Sequence, residues 1–350
     1  MDFTFSPEQR ELQEQARSFL ERRFTPQVVA SLADSDQGWA RESWQEIANL
    51  GWLGVSVPER LGGAGLTFLE EAILLEEFGR CLYPGPFQAS IGLARPAIPE
   101  GQLGQLAGGH RRWSVAVGAA CNLVPDLGAV DAVVVERNEE LWMVPASGWT
   151  SERSIDSTRR MGRLSEVAAG ERLATGPQAA QLMAQMRIRK ATALALESVG
   201  IAQRVLEWGI DHVRTREQFG KPIGSYQAVA HPLVDSFVEV ELARSLCYWA
   251  AWCISVEHRQ AEVAALAAYA SAVEAAVHTC ERVIQVHGGM GFTWESPLHR
   301  YYKRSLWVQY FGGAPALHRR ELARSLIAEA VSQGRDRGRP AATDQGGSLP

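Results

Sequence analysis

Residues 214–235 read RTREQFGKPIGSYQAVAHPLVD, and the fold is decided by how that stretch is punctuated. Gly220 and Pro222 stop one long helix, and Ser225-Tyr226-Gln227 opens another. Outward from this turn, Ala and Leu recur on one face at helical spacing over 178–214, 225–256, 260–287 and about 312–332. Four such helices with short connections pack most simply as an antiparallel four-helix bundle. Beyond it, GRDRGRPAATDQGGSLP (334–350) is polar and rich in Gly and Pro, the composition of a flexible tail.

Upstream of the bundle the pattern changes. WSVAVGA (113–119), DAVVVE (131–136) and LWMVPA (141–146) are short, apolar and rich in Val, with Gly, Pro, Asn and Asp between them. They read as short strands in a small middle unit. Earlier still the chain is helical. Ser6-Pro7-Glu8-Gln9 supplies an N-cap, a proline at the first helical position and an acid in the first turn, and Leu12, Ala16, Phe19 and Leu20 follow at helical spacing. Trp44, Ile47 and Leu50 mark a helix that stops near Gly51. Thr67 and Glu70 have capping-box spacing and start a helix to about Gly79, ended by Pro84 and Pro86. The expected architecture is therefore mainly α: an N-terminal helical domain (1–110), a reduced middle β domain (111–175), a C-terminal helical bundle (176–333) and a tail (334–350).

The bulk properties fit this organisation. A chain of 350 residues with 46% hydrophobic and 21% charged content can bury a large core. A formal charge of -5 points to neither nucleic acid nor an anionic membrane as the main partner. The five cysteines, Cys81, Cys121, Cys247, Cys253 and Cys280, form no CxxC pair, which suits a reducing compartment. The start, MDFTFSPEQRELQEQ, lacks the basic and apolar regions of a signal peptide, and no unbroken run of about 18 apolar residues occurs. A soluble, cytoplasmic protein is expected.

Three segments invite a chemical reading, and each has a plainer one. The stretch VPERLGGAG (57–65) is a tight turn entering a helix and contains no catalytic residue type. Taken alone, RTREQFGKPI is a surface helix end with basic decoration. As a binding feature it is an anion site: the Arg216 guanidinium suits phosphate oxygens, Phe219 offers a platform for a ring, and Gln227 can bond an amide or ribose. The stretch QVHGGMGF (285–292) has three glycines in four residues, which lets backbone pass close to a ligand. Within it, His287 reads as a structural or capping residue. Glu295 and His299 lack a partner at HExxH spacing, so no metal is expected, and Trp249, Trp252 and Trp294 read as core or interface.

Together these segments resemble the acyl-CoA dehydrogenases. FSPEQRELQEQARSFL, WQEIANLGWLGVSVPERLGGAGLTFLEEAILLEEFGR, RTREQFGKPIGSYQAVAHPLVD and QVHGGMGFTWESPLHRYYKR occur in the order found in that family and cover about three quarters of the chain. The resemblance implies an N-terminal helical domain, a middle β domain, a C-terminal four-helix bundle and FAD held between subunits. It implies that Arg216, Phe219 and Gln227 bind the pyrophosphate and adenosine portion of FAD, with Gln285, Gly288 and Gly289 along the same portion. In the family these residues serve the FAD seated mainly in the neighbouring subunit. The implied reaction removes the α-proton of an acyl thioester and passes the β-hydrogen to flavin as hydride, with an electron-transfer acceptor downstream. It needs a carboxylate base over the α-carbon.

The sequence departs from that pattern in three places. Many members carry the base glutamate in the stretch matching QYFGG (309–313), where this chain has Gly312. A second subgroup carries it on the first bundle helix, where the matching residue is about Lys190. The middle region has no counterpart of the TEPxAGSD-like segment that touches the flavin ring and substrate. The leading expectation is therefore one subunit of a hetero-oligomeric acyl-CoA dehydrogenase whose base sits on a partner chain, as in short members that pair in steroid side-chain degradation. The alternatives are a self-sufficient homo-oligomer with a base among Asp235, Glu239 or Glu241, and a non-catalytic flavin-binding scaffold.

Overall fold

A computed structural model of the chain describes residues 4–117, 123–164 and 169–337, the last six by backbone alone. Helix α1 (Pro7–Arg23) starts as its sequence requires. The Ser6 side chain caps the Gln9 amide, and the Gln9 side chain returns to the Ser6 amide. After α2 (Pro26–Asp34) and α3 (Arg41–Asn49), helix α4 (Phe68–Arg80) opens on the Thr67–Glu70 capping box. The glycine turn before it is structural: a Cβ at Gly63 would overlap the Val57 carbonyl. A π-helical segment, Gln88–Ala94, and α5 (Leu103–Ala107) lead into the strands.

Among the described residues, seven strands lie between Trp113 and Ala174, in two sheets. The first has the order β1 (Trp113–Ala116), β3 (Ala132–Arg137), β4 (Glu140–Pro145), β7 (Glu171–Ala174). The second has β2 (Leu123–Pro125), β6 (Met161–Leu164), β5 (Trp149–Glu152). Only the pairing of β1 with β3 is parallel. Strand β3 shows why AVVVER is a strand buried on both faces. Val133 and Val135 pack into a small core with Val124 and Leu127, whereas Ala132 and Val134 join the large helical core. Strands β2, β5, β6 and β7 are too short or too polar to stand out in the sequence. Residues 118 and 119 of the first expected strand and Cys121 lie outside the described residues, and the other four cysteines are free and buried.

The helical region begins with α6 (Gly176–Thr215), α7 (Gln227–Ser255) and α8 (Ala261–His287), with a two-stranded hairpin, β8 (Glu217–Gln218) and β9 (Lys221–Pro222), between the first two. The last expected helix, about 312–332, is α10 (Pro315–Arg337), which runs past the predicted start of the tail at 334, and a further helix, α9 (Leu298–Gly312), precedes it across the break at Gly313. Residues 338–350 lie outside the described residues. Helix α9 was missed because half its face is polar, including Arg300 and Arg304, yet both of these are buried. The segment Ala261–Phe292 is long and apolar enough by composition to cross a membrane, contrary to the reading by unbroken runs, but 67% of its most apolar window is buried inside the structure.

Arg304 is fully buried and ties the strand region to the bundle. It pairs with Asp156, donates to Thr158 at 2.6 Å and to Glu197 Oε1 on α6 at 2.5 Å. Arg159 donates to the same Glu197 oxygen at 2.6 Å and to Asp126 at 3.0 Å. Removing one member of such a buried set strands the rest without compensation. Arg304→Met should therefore lower stability by about 3–5 kcal/mol. Urea unfolding measures this, and a loss below about 1 kcal/mol would show that the cluster does not hold the two parts together.

Candidate functional site

The six residues assigned to a dinucleotide sit at one end of the bundle, on two helix termini. Arg216 caps α6, Phe219 lies at the tip of the β8–β9 hairpin, and Gln227 is the first residue of α7. Gln285 closes α8, and Gly288 and Gly289 follow it. The two groups are joined by His212 on α6 and His287 on α8, whose rings stack at 4.0 Å. Below them the same helices meet closely, since a Cβ at Gly209 would press on Val283. His287 also donates through Nδ1 to the Val283 carbonyl at 2.8 Å, so the capping role read from sequence is real but incomplete.

All six are exposed, and their chemistry fits one end of a large anionic ligand. Phe219 is 93% exposed and holds a positive φ of 54°, a strained setting for an aromatic residue that presents its ring outward. Gly288 has φ 60°, and a Cβ there or at Gly289 would meet nothing within 4 Å, so the backbone faces open space. An arginine, an apolar platform and open backbone suit a pyrophosphate with an attached ring system.

The two positions at which a base was sought meet in space. The Lys190 ammonium donates to the Phe311 carbonyl at 3.1 Å and lies 4.1 Å from the centre of the Phe311 ring, next to Gly312. The corner is already filled. A Cβ on Gly312 would overlap the hydroxyl of Tyr269, which donates to the Gly313 carbonyl at 2.9 Å. His318 stacks on Tyr269 at 4.1 Å. Burial alone lowers the Lys190 ammonium to about 8. Sequence reasoning named Gly312 and Lys190 but not Tyr269, which looks like one more aromatic on an alanine-rich helix.

Residues 6–100 match the acyl-CoA dehydrogenase N-terminal domain and residues 166–327 match the acyl-CoA dehydrogenase C-terminal domain. The chain is 32% identical, over 92% of its length and 98% of the other chain, to the acyl-CoA dehydrogenase IpdE2 of Mycobacterium tuberculosis. The chain belongs to the acyl-CoA dehydrogenase family. Its fold is shared with the Tcur3481–Tcur3483 steroid acyl-CoA dehydrogenase (G363A variant) at TM-score 0.82 and 28% identity, covering 93% of this chain and 99% of that one. It is also shared with the ChsE4–ChsE5 complex of M. tuberculosis at TM-score 0.82 and 24% identity, covering 97% and 100%.

The three carboxylates considered as an alternative base lie on α7. Glu239 is engaged by Arg282 at 2.9 Å and faces His278, and Glu241 is paired with Arg244 on its own helix. Asp235 is exposed beside Val234 and Phe237 on the outer face of α7. None of the three points into a cavity given by the geometry. Glu197, overlooked in the sequence, is buried and its Oε2 has no protein partner. It lines a cavity of about 10 Å³ with Gln88 and Arg159, room for one water and not for an acyl chain.

The corner yields two predictions. Between about 8, the value of the folded Lys190, and its ordinary value near 10.5, the unfolded chain binds more protons. Stability from this group therefore rises with pH across that window, and below it the buried ammonium costs stability. Lys190→Met should stabilise the protein at pH 7 by on the order of 1–2 kcal/mol, since the amine is partly screened by solvent. The gain over wild type should shrink above pH 8 in parallel thermal melts, and a constant difference would refute it. Gly312→Glu, in turn, should lower the melting temperature without creating dehydrogenase activity, because Tyr269 occupies the space the carboxylate needs.

Proposed function

We propose that this chain is one subunit of a heteromeric, FAD-dependent acyl-CoA dehydrogenase, and that its partner supplies the base for α,β-dehydrogenation of an acyl-CoA thioester. One observation carries the reading: both family positions for the base converge on one corner, and that corner holds a lysine and a glycine pressed by Tyr269. FAD would accept the hydride. This chain's part is to hold the cofactor. Arg216 would pair with the pyrophosphate, Phe219 and Gln227 would take the adenosine, and the open backbone at Gly288 and Gly289 with Gln285 would let the phosphates approach.

Several features support a shared site. The six residues are exposed on an outer surface of the described residues. The outer face of α7 carries Val234, Phe237, Val238 and Leu242, each 48–61% exposed, an apolar stripe of the kind that subunit contacts cover. The related steroid dehydrogenase is described as a pair of chains, which makes steroid-derived acyl-CoA thioesters the first substrates to try. We read the divisions at 110, 175 and 333 as domain limits and place the enzyme in the cytoplasm, where the four buried free thiols stay reduced. An electron-transfer acceptor would reoxidise the complex.

Two measurements test this reading. Arg216→Ala removes a charge-assisted contact worth about 1.5–3 kcal/mol, so FAD affinity should fall about tenfold or more. Flavin occupancy unchanged at limiting FAD rules the assignment out. Wild-type chain with FAD, steroid-derived acyl-CoA and an electron acceptor should turn over far more slowly than about 1 s⁻¹, and gain activity when a base-carrying family member is added. Turnover near that rate from the chain alone overturns the two-subunit reading.

A further inference from the structure

Stacked imidazoles stand between the two halves of the dinucleotide site: His287 lies inside the 285–292 turn motif, and His212 just precedes the 214–235 motif. His212 lies four residues before Arg216, one helical turn back on the same face of α6. His287 immediately precedes Gly288 and faces His212 from α8, ring over ring at 4.0 Å and 21°. The sequence thus builds one continuous edge: Arg216, His212, His287, Gly288, Gly289. Both rings are half-buried, so solvent and a ligand can reach them.

The hydrogen bonding fixes what this pair can do. His287 Nδ1 donates to the Val283 carbonyl, which only accepts. In the neutral ring Nε2 is then an unprotonated acceptor, repelled by phosphate oxygens; once protonated it becomes a donor to them. Two rings stacked at 4.0 Å repel when both are charged, which disfavours a second added proton. The surroundings oppose even that proton while no anion is bound. Burial, the facing His287 and the Arg216 guanidinium hold His212 below the usual imidazole range. The neighbouring turns Ile223–Ser225 and Gly288–Phe292 contain no ionisable side chain. Helix α7 reaches Gly209 through Leu233, and the ionisable residues nearest that contact, His231 and Asp235, are exposed.

We infer that His212 and His287 form a proton-loaded extension of the pyrophosphate site, taking up about one proton when the dinucleotide binds and donating to its phosphate oxygens. This rests on the assignment of FAD to Arg216 and the 285–289 turn. A phosphate beside the pair supplies the negative charge that its surroundings lack, so binding and protonation favour each other. The chain then holds its cofactor more tightly below neutral pH than above it. A pair acting only as a helix clasp would stabilise the fold and leave ligand affinity independent of proton concentration.

The test uses the full chain, with its partner subunit if the two co-purify, and FAD as the probe. FAD affinity is followed by flavin fluorescence from pH 6 to pH 8, and proton exchange by calorimetry at pH 7 in two buffers of different ionisation enthalpy. Wild type should take up about one proton and lose affinity by about one decade per pH unit, approaching a hundredfold across that range. His212→Phe keeps the ring stack without a titrating group, and His287→Gln keeps a donor for the Val283 carbonyl. The double variant should fold and still bind FAD, and show neither the pH slope nor the proton uptake. A wild-type affinity that is flat with pH, or a slope that persists in the double variant, overturns the inference. Arg216→Ala separates the two levels. If it weakens FAD at every pH while the histidine changes do nothing, only the proton-linked role falls; if it has no effect on FAD, the site assignment falls and takes this inference with it.

Discussion

The structure depends on how Glu197 is satisfied. It sits in the middle of the longest helix, fully enclosed, and its Oε1 receives a guanidinium from α9 and another from the loop before β6. Those two arginines in turn hold Asp156 and Asp126, which belong to the strand region. One carboxylate oxygen therefore adds a polar tie between three parts of the chain, beside the apolar contact that one face of the strands makes with the helical core. The arrangement fixes where α9 runs, and α9 in turn delivers Phe311 and Gly312 to Lys190.

Helix existence was largely legible in the sequence, because capping chemistry is local. Ser6 with Gln9 and Thr67 with Glu70 announce their helices through contacts three residues apart, and both boxes form. What the sequence hid was anything depending on partners far along the chain. Arg304 reads as a surface residue in a basic run, and only Asp156 and Glu197, 148 and 107 residues away, make it interior. The four overlooked strands fail for a related reason: β5 is largely exposed, and a strand without an apolar face has no period to detect.

The site divides the same way. Arg216, Gly288 and Gly289 stand out in the sequence because an arginine at a helix end and glycines in a turn suit a phosphate, although a plain surface turn explains the same residues. The two positions considered for a base came only from the resemblance, and the structure shows why a longer side chain does not fit at Gly312. Tyr269, two helices away in sequence, takes the volume, and its hydroxyl is committed to backbone carbonyls. An alanine-rich stretch such as AALAAYASAVEAA gives no hint that its tyrosine closes a pocket. The His212–His287 stack escaped for the same reason, since neither histidine is unusual until α6 and α8 are laid side by side.

Helix α4 has a consequence for how the protein is made. It buries three glutamates, and each is matched by a different element: Glu77 by Arg17 at 2.7 Å, Glu71 by Arg189, and Glu76 by Arg244 at 3.0 Å together with the Tyr248 hydroxyl at 2.9 Å. The last two partners are 118 and 168 residues downstream. During synthesis, at about 5–20 residues per second, α4 leaves the ribosome with Arg17 already made, but many seconds before Arg189 and Arg244 exist. Until then Glu71 and Glu76 must stay in water, and the apolar residues between them stay with them. The amino-terminal third of the polypeptide is therefore a segment that waits, and its burial is completed by the last-made half.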